Sequence, residues 1–408
     1  MGCVTVCLWR VITLLDHLYK QPDGRLFELV DQLKEPTMIY DLDGIKHTVR
    51  VLKEDIELID NAFLHLAVKA IHNKEMLNHF AHLGLGCDVA SVGEYRLVQD
   101  SGFRKITTTS PYYSRDSMRT FVENNIVMDL DSMDQLNDFV EMGYSKEVGL
   151  RIAIPIPEEM DTIATFGLDS RFGIDFYESK DELIRLKETY DLAISNLHIH
   201  TGQSTGASFQ FKLKYLLEIA SQIDTIKTIN LGGGLFYLFH NREETRKLFK
   251  EMNLLIRNWE NVHGRKLEFI FEPGGALLAG NGYLISEIVS KKVHKKRNVT
   301  MLQCDTSFWN LSPWIRSNPI FLHRSDEVER VVFVGNTLFE GDSLSDFKEY
   351  EVPKVKKGDK VLFPAFGAYA LTNARRFNRL NLPNQYVLID GEIHSLEEEI
   401  RGEPFHSI

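Results

Sequence analysis

The chain has 408 residues, of which 43% are hydrophobic and 26% charged, with a net charge of −11. That length exceeds one ordinary core and points to two domains. The acidic balance argues against nucleic acid or an anionic membrane as the main partner. The four cysteines, Cys3, Cys7, Cys87 and Cys304, fit neither a zinc pattern nor a disulfide framework and suggest a reducing cytoplasm.

The first apolar stretch, from Gly2 to Leu15, is broken by Arg10. It is too short to cross a bilayer and lacks the layout of a signal peptide. An amphipathic helix over 4–20 is expected instead. From residue 37 to residue 275, short apolar runs alternate with longer charged, helical ones. Strands are expected at 38–41, 63–69, 86–90, 105–109, 126–130, 148–154, 196–201, 228–231 and 267–271. Helices are expected between them, as at 179–190 and 242–259. Parallel strands with helical crossovers follow, and eight or nine such units fit a closed, TIM-like β/α barrel, with an open doubly wound sheet as the alternative. After Ala276 the texture changes to strand-like runs at 283–289, 330–334 and 360–363 separated by turns, which reads as an all-β domain. The basic run 291–297 reads as a solvated turn. The division is 1–34 as an N-terminal segment, 35–275 as the barrel and 276–408 as the β domain.

Polar residues collect at the ends of the expected barrel strands, where β/α barrels carry their active sites. Lys69 ends an apolar strand. A lysine buried there would have a depressed pKa, and a neutral amine can form a Schiff base; the plain alternative is a lysine that snorkels to water. Asp88 ends the next strand. His198 and His200 alternate on another, so both rings share a face. Without an obvious third ligand they predict no metal site, and stacking on a flat cofactor is the other use. Gly202-Gln203-Ser204 adds donors just beyond. Gly232-Gly233-Gly234 follows a strand and lets backbone N–H groups approach an anion such as phosphate. Glu272-Pro273-Gly274-Gly275 closes the last strand with an acid that could hold a protonated ring nitrogen. Gly367-Ala368-Tyr369 offers a phenol beside a tight turn. An amine, a phosphate cradle, an acid and a stacking ring together make the kit that pyridoxal 5'-phosphate needs.

With these motifs in order, the chain resembles the fold-type III pyridoxal-phosphate decarboxylases, the ornithine, diaminopimelate and arginine decarboxylase group. The likeness runs from about Phe27 to Asp390. It rests on Ala67-Val68-Lys69-Ala70, Gly86-Cys87-Asp88-Val89-Ala90-Ser91 with Gly93-Glu94, and Arg171-Phe172-Gly173-Ile174. It continues through His198-Ile199-His200-Thr201-Gly202, Gly232–Gly234, Glu272-Pro273-Gly274 and Gly367-Ala368-Tyr369. The resemblance implies an alanine-racemase-type barrel followed by a β-barrel-like domain that N-terminal residues partly join. It implies Lys69 as the Schiff-base lysine, Glu272 as the ring-nitrogen partner and His200 on the ring face. Gly232, Gly233, Gly234, Gly274 and Tyr369 would hold the phosphate, with Asp88, Gln203, Ser204 and Gly275 among the cofactor contacts. It also implies a homodimer that shares its active sites.

The departures lie mostly in the half of the site that a partner subunit contributes in this family. Leu338 stands where the family has a cysteine that protonates the product. Phe339 replaces an acid that commonly reads a basic substrate, although Gly341-Asp342 is kept after it. Gly275 replaces an arginine that contacts the phosphate, and Phe308 aligns where a tyrosine often lies. Leu338 cannot transfer a proton, and Phe339 cannot pair with an ammonium. Phe339 and Asp342 are the weaker substrate-site candidates. Three readings follow: a decarboxylase of an amino acid or amino-acid conjugate, an amino-acid racemase, and an inactive regulatory homologue. The racemase needs a second base opposite Lys69, for which Glu340, Asp342 and Cys304 are the candidates.

Overall fold

The computed structural model describes residues 17–19, 24–144, 147–157, 160, 167–168, 170–311, 318–321 and 325–396. The helix expected over 4–20 falls almost wholly outside the described residues. The chain forms two compact units, Val49–Ala276 and a second made of Met1–Thr48 with Leu277–Ile408.

Strand β1 (Thr37–Asp41) comes first and belongs to the second unit. Then come β2 (Ala62–Ala67), β3 (Gly86–Val89), β4 (Ile106–Thr109), β5 (Met128–Leu130), β6 (Glu147–Ala153), a short β7 (Ile174–Asp175), β8 (Ala193–His198), β9 (Thr228–Asn230) and β10 (Glu268–Phe271). Apart from β7, which pairs only with β6, these strands form a ring of eight. All pair in parallel. Phe269 lies opposite Ala62 where β10 meets β2, and Asp129 lies opposite Gly149 where β5 meets β6, so the sheet is a closed barrel. Both faces of β3 and β5 are buried, which is why these strands lack a polar alternation.

Side-chain caps start the crossover helices. Asn73, Ser91, Ser114, Ser132, Asp175, Thr205 and Asn241 each accept a backbone N–H of the first turn. Each such cap contributes about 1 kcal/mol. Ser91 lies two residues past the end of β3, and Ser132 two residues past β5, so the loops at this barrel mouth are short and pinned. Outside the barrel, Phe209 and Phe249 close on Phe271 with ring centroids 5.8 and 5.6 Å away. This packing seats the helices Gly206–Gln222 and Arg242–His263 against β10.

The second unit is mostly sheet: β11 (Gly282–His294), β12 (Val299–Cys304), β13 (Ile320–Phe321), β14 (Val328–Val334), β15 (Tyr350–Pro353), β16 (Lys360–Pro364), β17 (Asn384–Ile389) and β18 (Glu392–Ser395). The main path runs β15-β14-β12-β11-β1-β17-β18, with β16 joining β11 to β13. The long β11 changes partners at a bulge between Ile288 and Ser290. Leu26 and Val30, from the N-terminal segment, pack with Ile39, Tyr283, Ile285, Leu362 and Leu388 into its core.

Three expectations need correction. The strand at 38–41 does not open the barrel; β1 lies between β11 and β17. It is buried at every position, and a fully buried strand carries no pattern that says which sheet it joins. The run 291–297 is not all turn, because residues 291–294 form the end of β11 paired with β12, and only 295–298 turn. The strand expected through Lys69 stops at Ala67, and residues Val68–Ala70 form a 3₁₀ turn.

Candidate active site

That early stop decides the setting of Lys69. The residue is exposed, while its neighbours Val68 and Ala70 are buried. It is therefore an accessible amine, not the buried one expected from the apolar strand. Its charge acts on Asp88, Glu272, His198 and His200, lowering all four. The structure thus gathers the end of β2 with the ends of β3, β8 and β10 at one mouth.

Glu272 is buried just past β10, 7% exposed. Asn230 donates to one carboxyl oxygen, and His198 Nε2 lies 3.6 Å from the other. Burial works to raise the Glu272 pKa, but His198, Asn230 and Lys69 outweigh it and hold the carboxyl below its ordinary value. Asp88 goes the other way. Burial and then the Glu272 charge push it well above the usual range, against Lys69 and a 3.0 Å hydrogen bond from Thr107. Two carboxyls facing one site are thereby driven apart, one held below and the other pushed above the ordinary carboxylate range. Burial lowers His198, against the hydrogen bond and charge of Glu272, which raise it.

His200 is fixed by the glycine turn. The Gly233 N–H donates to His200 Nδ1 at 3.2 Å, which leaves the ring proton on Nε2. The Gly232 N–H donates to the Asn230 side chain at 3.0 Å. Two of the N–H groups expected to face an anion are therefore spent inside the protein. The glycines are required chiefly for close approach. A Cβ at Gly233 would lie 2.7 Å from the Glu272 carbonyl oxygen, and one at Gly234, where φ is +76°, would collide with the Gly202 carbonyl oxygen. The turn thus locks β8, β9 and β10 at their ends. Ser204 is fully buried and does not face the mouth as a free donor; its N–H donates to the Gly234 carbonyl.

Other motif residues serve as supports. Glu94 accepts from the Ala90 N–H at 2.7 Å and from His72 at 3.0 Å, tying the loops after β2 and β3 together. The guanidiniums of Arg151 and Arg171 both lie over the Phe172 ring, at 4.3 and 4.0 Å from its centroid. Among the described residues, no group of three or more His, Cys, Asp or Glu could hold a metal ion.

Sequence reasoning missed Asp129, Arg151, Asn230 and Lys212. For the first two there was a signal, a charge inside an otherwise apolar strand; Lys212 looked like any lysine of an amphipathic helix. Arg151 pairs with Asp131 at 3.2 Å. Asp129 is fully buried and accepts from Thr109 at 3.2 Å, and a Cβ at Gly149 would strike it. Burial, then Glu272, pushes its carboxyl up to about 7. The unfolded chain ionises near the ordinary value, so from about pH 4 to 7 the folded protein holds a proton that the unfolded chain has released. Stability from this group is complete below that window and is lost as pH rises through it. In urea unfolding of the cofactor-free protein, Asp129→Asn is expected to gain on wild type by on the order of 4 kcal/mol between pH 4 and 8. Parallel stability curves for the two proteins would place that proton elsewhere.

Tyr369, Phe339 and Asp342 lie in the second unit. Tyr369 has φ of +62° in a turn whose Gly367 is packed against Gly282 and Leu278. A bulky residue held there is strained, a state that persists where neighbours enforce it. The Asp342 carboxylate is committed to its own loop. It accepts from Phe308 N–H at 2.8 Å, from Thr337 N–H at 3.0 Å and from the Thr337 hydroxyl. Leu338 is 91% and Phe339 42% exposed, and Phe339 leans on Trp309 with centroids 5.5 Å apart. Cys304 is fully buried, and burial pushes its thiol up.

The barrel mouth fits pyridoxal phosphate on its own geometry. It holds an exposed amine, an acid kept below its ordinary pKa and an imidazole fixed by a backbone N–H, groups of the kind an aldehyde, a basic ring nitrogen and a flat ring call for. A glycine turn stands there too, in which a side chain at 233 or 234 would clash. His198 Nδ1 and Thr201 Oγ1 are buried there without a hydrogen-bond partner among the described residues.

Comparison with known proteins agrees. The family described as pyridoxal-dependent decarboxylase, pyridoxal binding domain, matches residues 42–279. Diaminopimelate decarboxylase from Helicobacter pylori is 26% identical over 370 residues, covering 86% of this chain and 89% of that protein. The Pseudomonas fluorescens enzyme of the same name is 24% identical over 389 residues, covering 90% of each. Among solved structures, the Helicobacter pylori diaminopimelate decarboxylase complexed with L-lysine superposes with a TM-score of 0.75 at 21% identity, covering 90% of this chain and 95% of that one. Diaminopimelate decarboxylase from M. jannaschii gives a TM-score of 0.81 at 20% identity, covering 95% and 96%. A barrel mouth built for pyridoxal phosphate and a family match over more than half its length have one meaning: the chain belongs to the pyridoxal-dependent decarboxylases, as a divergent member of the fold-type III group.

Proposed function

We propose that the protein removes the Cα carboxyl group of an amino acid or amino-acid conjugate. The observation that carries this reading is the exposed Lys69 amine acting on a buried, ionised Glu272 carboxylate at one barrel mouth. When bound, pyridoxal phosphate supplies an electron sink for the charge left at Cα as CO₂ departs. The chain's own residues do the rest. Lys69 would hold the aldehyde carbon, and Glu272 would keep a proton on the ring nitrogen. His200, its ring fixed by the Gly233 N–H, would flank the ring face as a neutral imidazole. Asp88, whose setting favours the protonated form, would face the same mouth. The glycine turn Gly232–Gly234 and Gly274, all in the barrel unit, would receive the phosphate.

The relatives named diaminopimelate decarboxylases favour a free amino acid. Leu338 and Phe339 favour a substrate whose far end carries no unshielded ammonium. The exposed Leu338, Phe339 and Phe377, beside Trp309, are consistent with a homodimer in which this loop meets a second copy. The free, buried Cys87 and Cys304 fit a reducing cytoplasm. The racemase reading loses two of its candidate bases to the burial of Cys304 and the commitment of Asp342. A regulatory homologue without catalysis has no physical need for a charged acid matched to an amine.

The test is CO₂ release by the cofactor-loaded protein from diaminopimelate, lysine, ornithine and arginine, each free and acylated at the distal amine. Release is expected, faster from the acylated forms. No release from any of them, with Cα hydrogen exchanging against deuterated water, would replace decarboxylation by racemisation.

A further inference from the structure

Lys212 lies on the helix Gly206–Gln222 and is fully buried, although long helical lysines ordinarily reach water. Its amine donates to Ser204 Oγ at 2.7 Å and lies 5.0 Å from the Phe209 ring centroid. Burial alone shifts it, down to about 7, and no carboxylate offsets that shift. A buried ammonium without a counter-charge is costly. The amine is also placed directly behind the glycine turn. The Ser204 N–H donates to the Gly234 carbonyl at 2.9 Å, Gly234 presses on Gly202, and the Lys212 charge reaches His200.

Four groups act on His200 as positive charge: Lys69, Lys212, Arg151 and His198, the last lying beside the Glu272 carboxylate. Lys69 is reserved for the aldehyde, and Arg151 is paired with Asp131. The segment Glu272-Pro273-Gly274-Gly275-Ala276 carries no cation. We propose that Lys212 is the positive charge that offsets the phosphate of bound pyridoxal phosphate, acting from behind the glycine turn through Ser204. The inference rests on the reading that the phosphate sits at Gly232–Gly234. Lys212 is then a positioning residue: its amine fills one acceptor site of Ser204 Oγ, and its charge favours an anion on the far side of the turn.

The experiment compares wild type with Lys212→Met, which keeps the length and removes the charge. Cofactor-free proteins are titrated with pyridoxal phosphate and with pyridoxal, which lacks the phosphate, and followed by absorbance. Thermal melting is recorded with and without inorganic phosphate. The expected result is about ten-fold or more weaker binding of pyridoxal phosphate, with pyridoxal changed less than about two-fold. Without ligand, Lys212→Met should melt at or above the wild-type temperature, and the rise that inorganic phosphate gives wild type should vanish. Unchanged preference for pyridoxal phosphate over pyridoxal, whatever the melting temperature, overturns the inference and leaves the proposed function standing. A wild type that binds neither aldehyde overturns both. Should Lys212→Met not fold, Lys212→Gln, which keeps a donor for Ser204, is read by the same ratio.

Discussion

Replacing Lys69 with alanine is expected to lower CO₂ release by roughly 10³-fold or more, because in the proposed reaction one group would supply both the covalent anchor and a proton-transferring amine. The fold should not suffer. Lys69 is exposed at a 3₁₀ turn that its neighbours Val68 and Ala70 hold by their own burial, and exposed substitutions away from special features usually change stability little. The variant should still bind pyridoxal phosphate through the remaining contacts, but without the imine absorption band that borohydride fixes onto wild type. Its loss should also be felt by its neighbours, because the Lys69 charge lowers both Asp88 and Glu272. A Lys69→Ala protein that keeps the band and its rate would show that another amine does the chemistry.

Glu272→Gln is the second large expected effect. Glutamine keeps the shape and can still accept from Asn230, but it cannot carry charge, and a neutral amide cannot hold a proton on a ring nitrogen. The expected loss in kcat is about 10²–10³-fold, the size found when one preorganised electrostatic partner is removed from a site. Affinity for the cofactor should change less than kcat, since the interaction matters most as charge develops. A second readout follows from the buried acids. The Glu272 charge helps to raise both Asp88 and Asp129. With that charge gone, the pH window over which Asp129 affects stability should move down. Near wild-type turnover in Glu272→Gln would mean that the ring nitrogen is not served by this carboxylate.

Much of the barrel was legible because its elements carry local signals. Each strand is a short apolar run, and the helices begin at Ser, Asn, Asp or Thr caps that can be read directly. Strand ends were placed less well. The β2 strand ends at Ala67 where the apolar pattern runs on through Val68, because apolar residues fill a buried 3₁₀ turn as readily as a strand. The β8 strand was expected to start at 196 and starts at Ala193. The glycine turn was found, but its purpose was misread in part. Two of its N–H groups serve Asn230 and His200, and no sequence states which acceptor a backbone donor will meet.

What the sequence determined by itself is the order of the parts: alternating elements, a lysine and an acid at opposite ends of the barrel's strand order, a glycine turn and a late tyrosine. Those are local facts, set by residue type and spacing. Tertiary structure alone decided which charges survive. Glu272 and Asp88 are both strand-end acids, yet His198, Asn230 and Lys69 hold one below its ordinary pKa while burial and Glu272 push the other above. It also decided that Lys69 is exposed and Lys212 buried, the reverse of what an apolar strand and an amphipathic helix suggest. Burial of a long side chain depends on what packs over it, and ionisation depends on every charge within reach. Both are set by residues far apart in the chain.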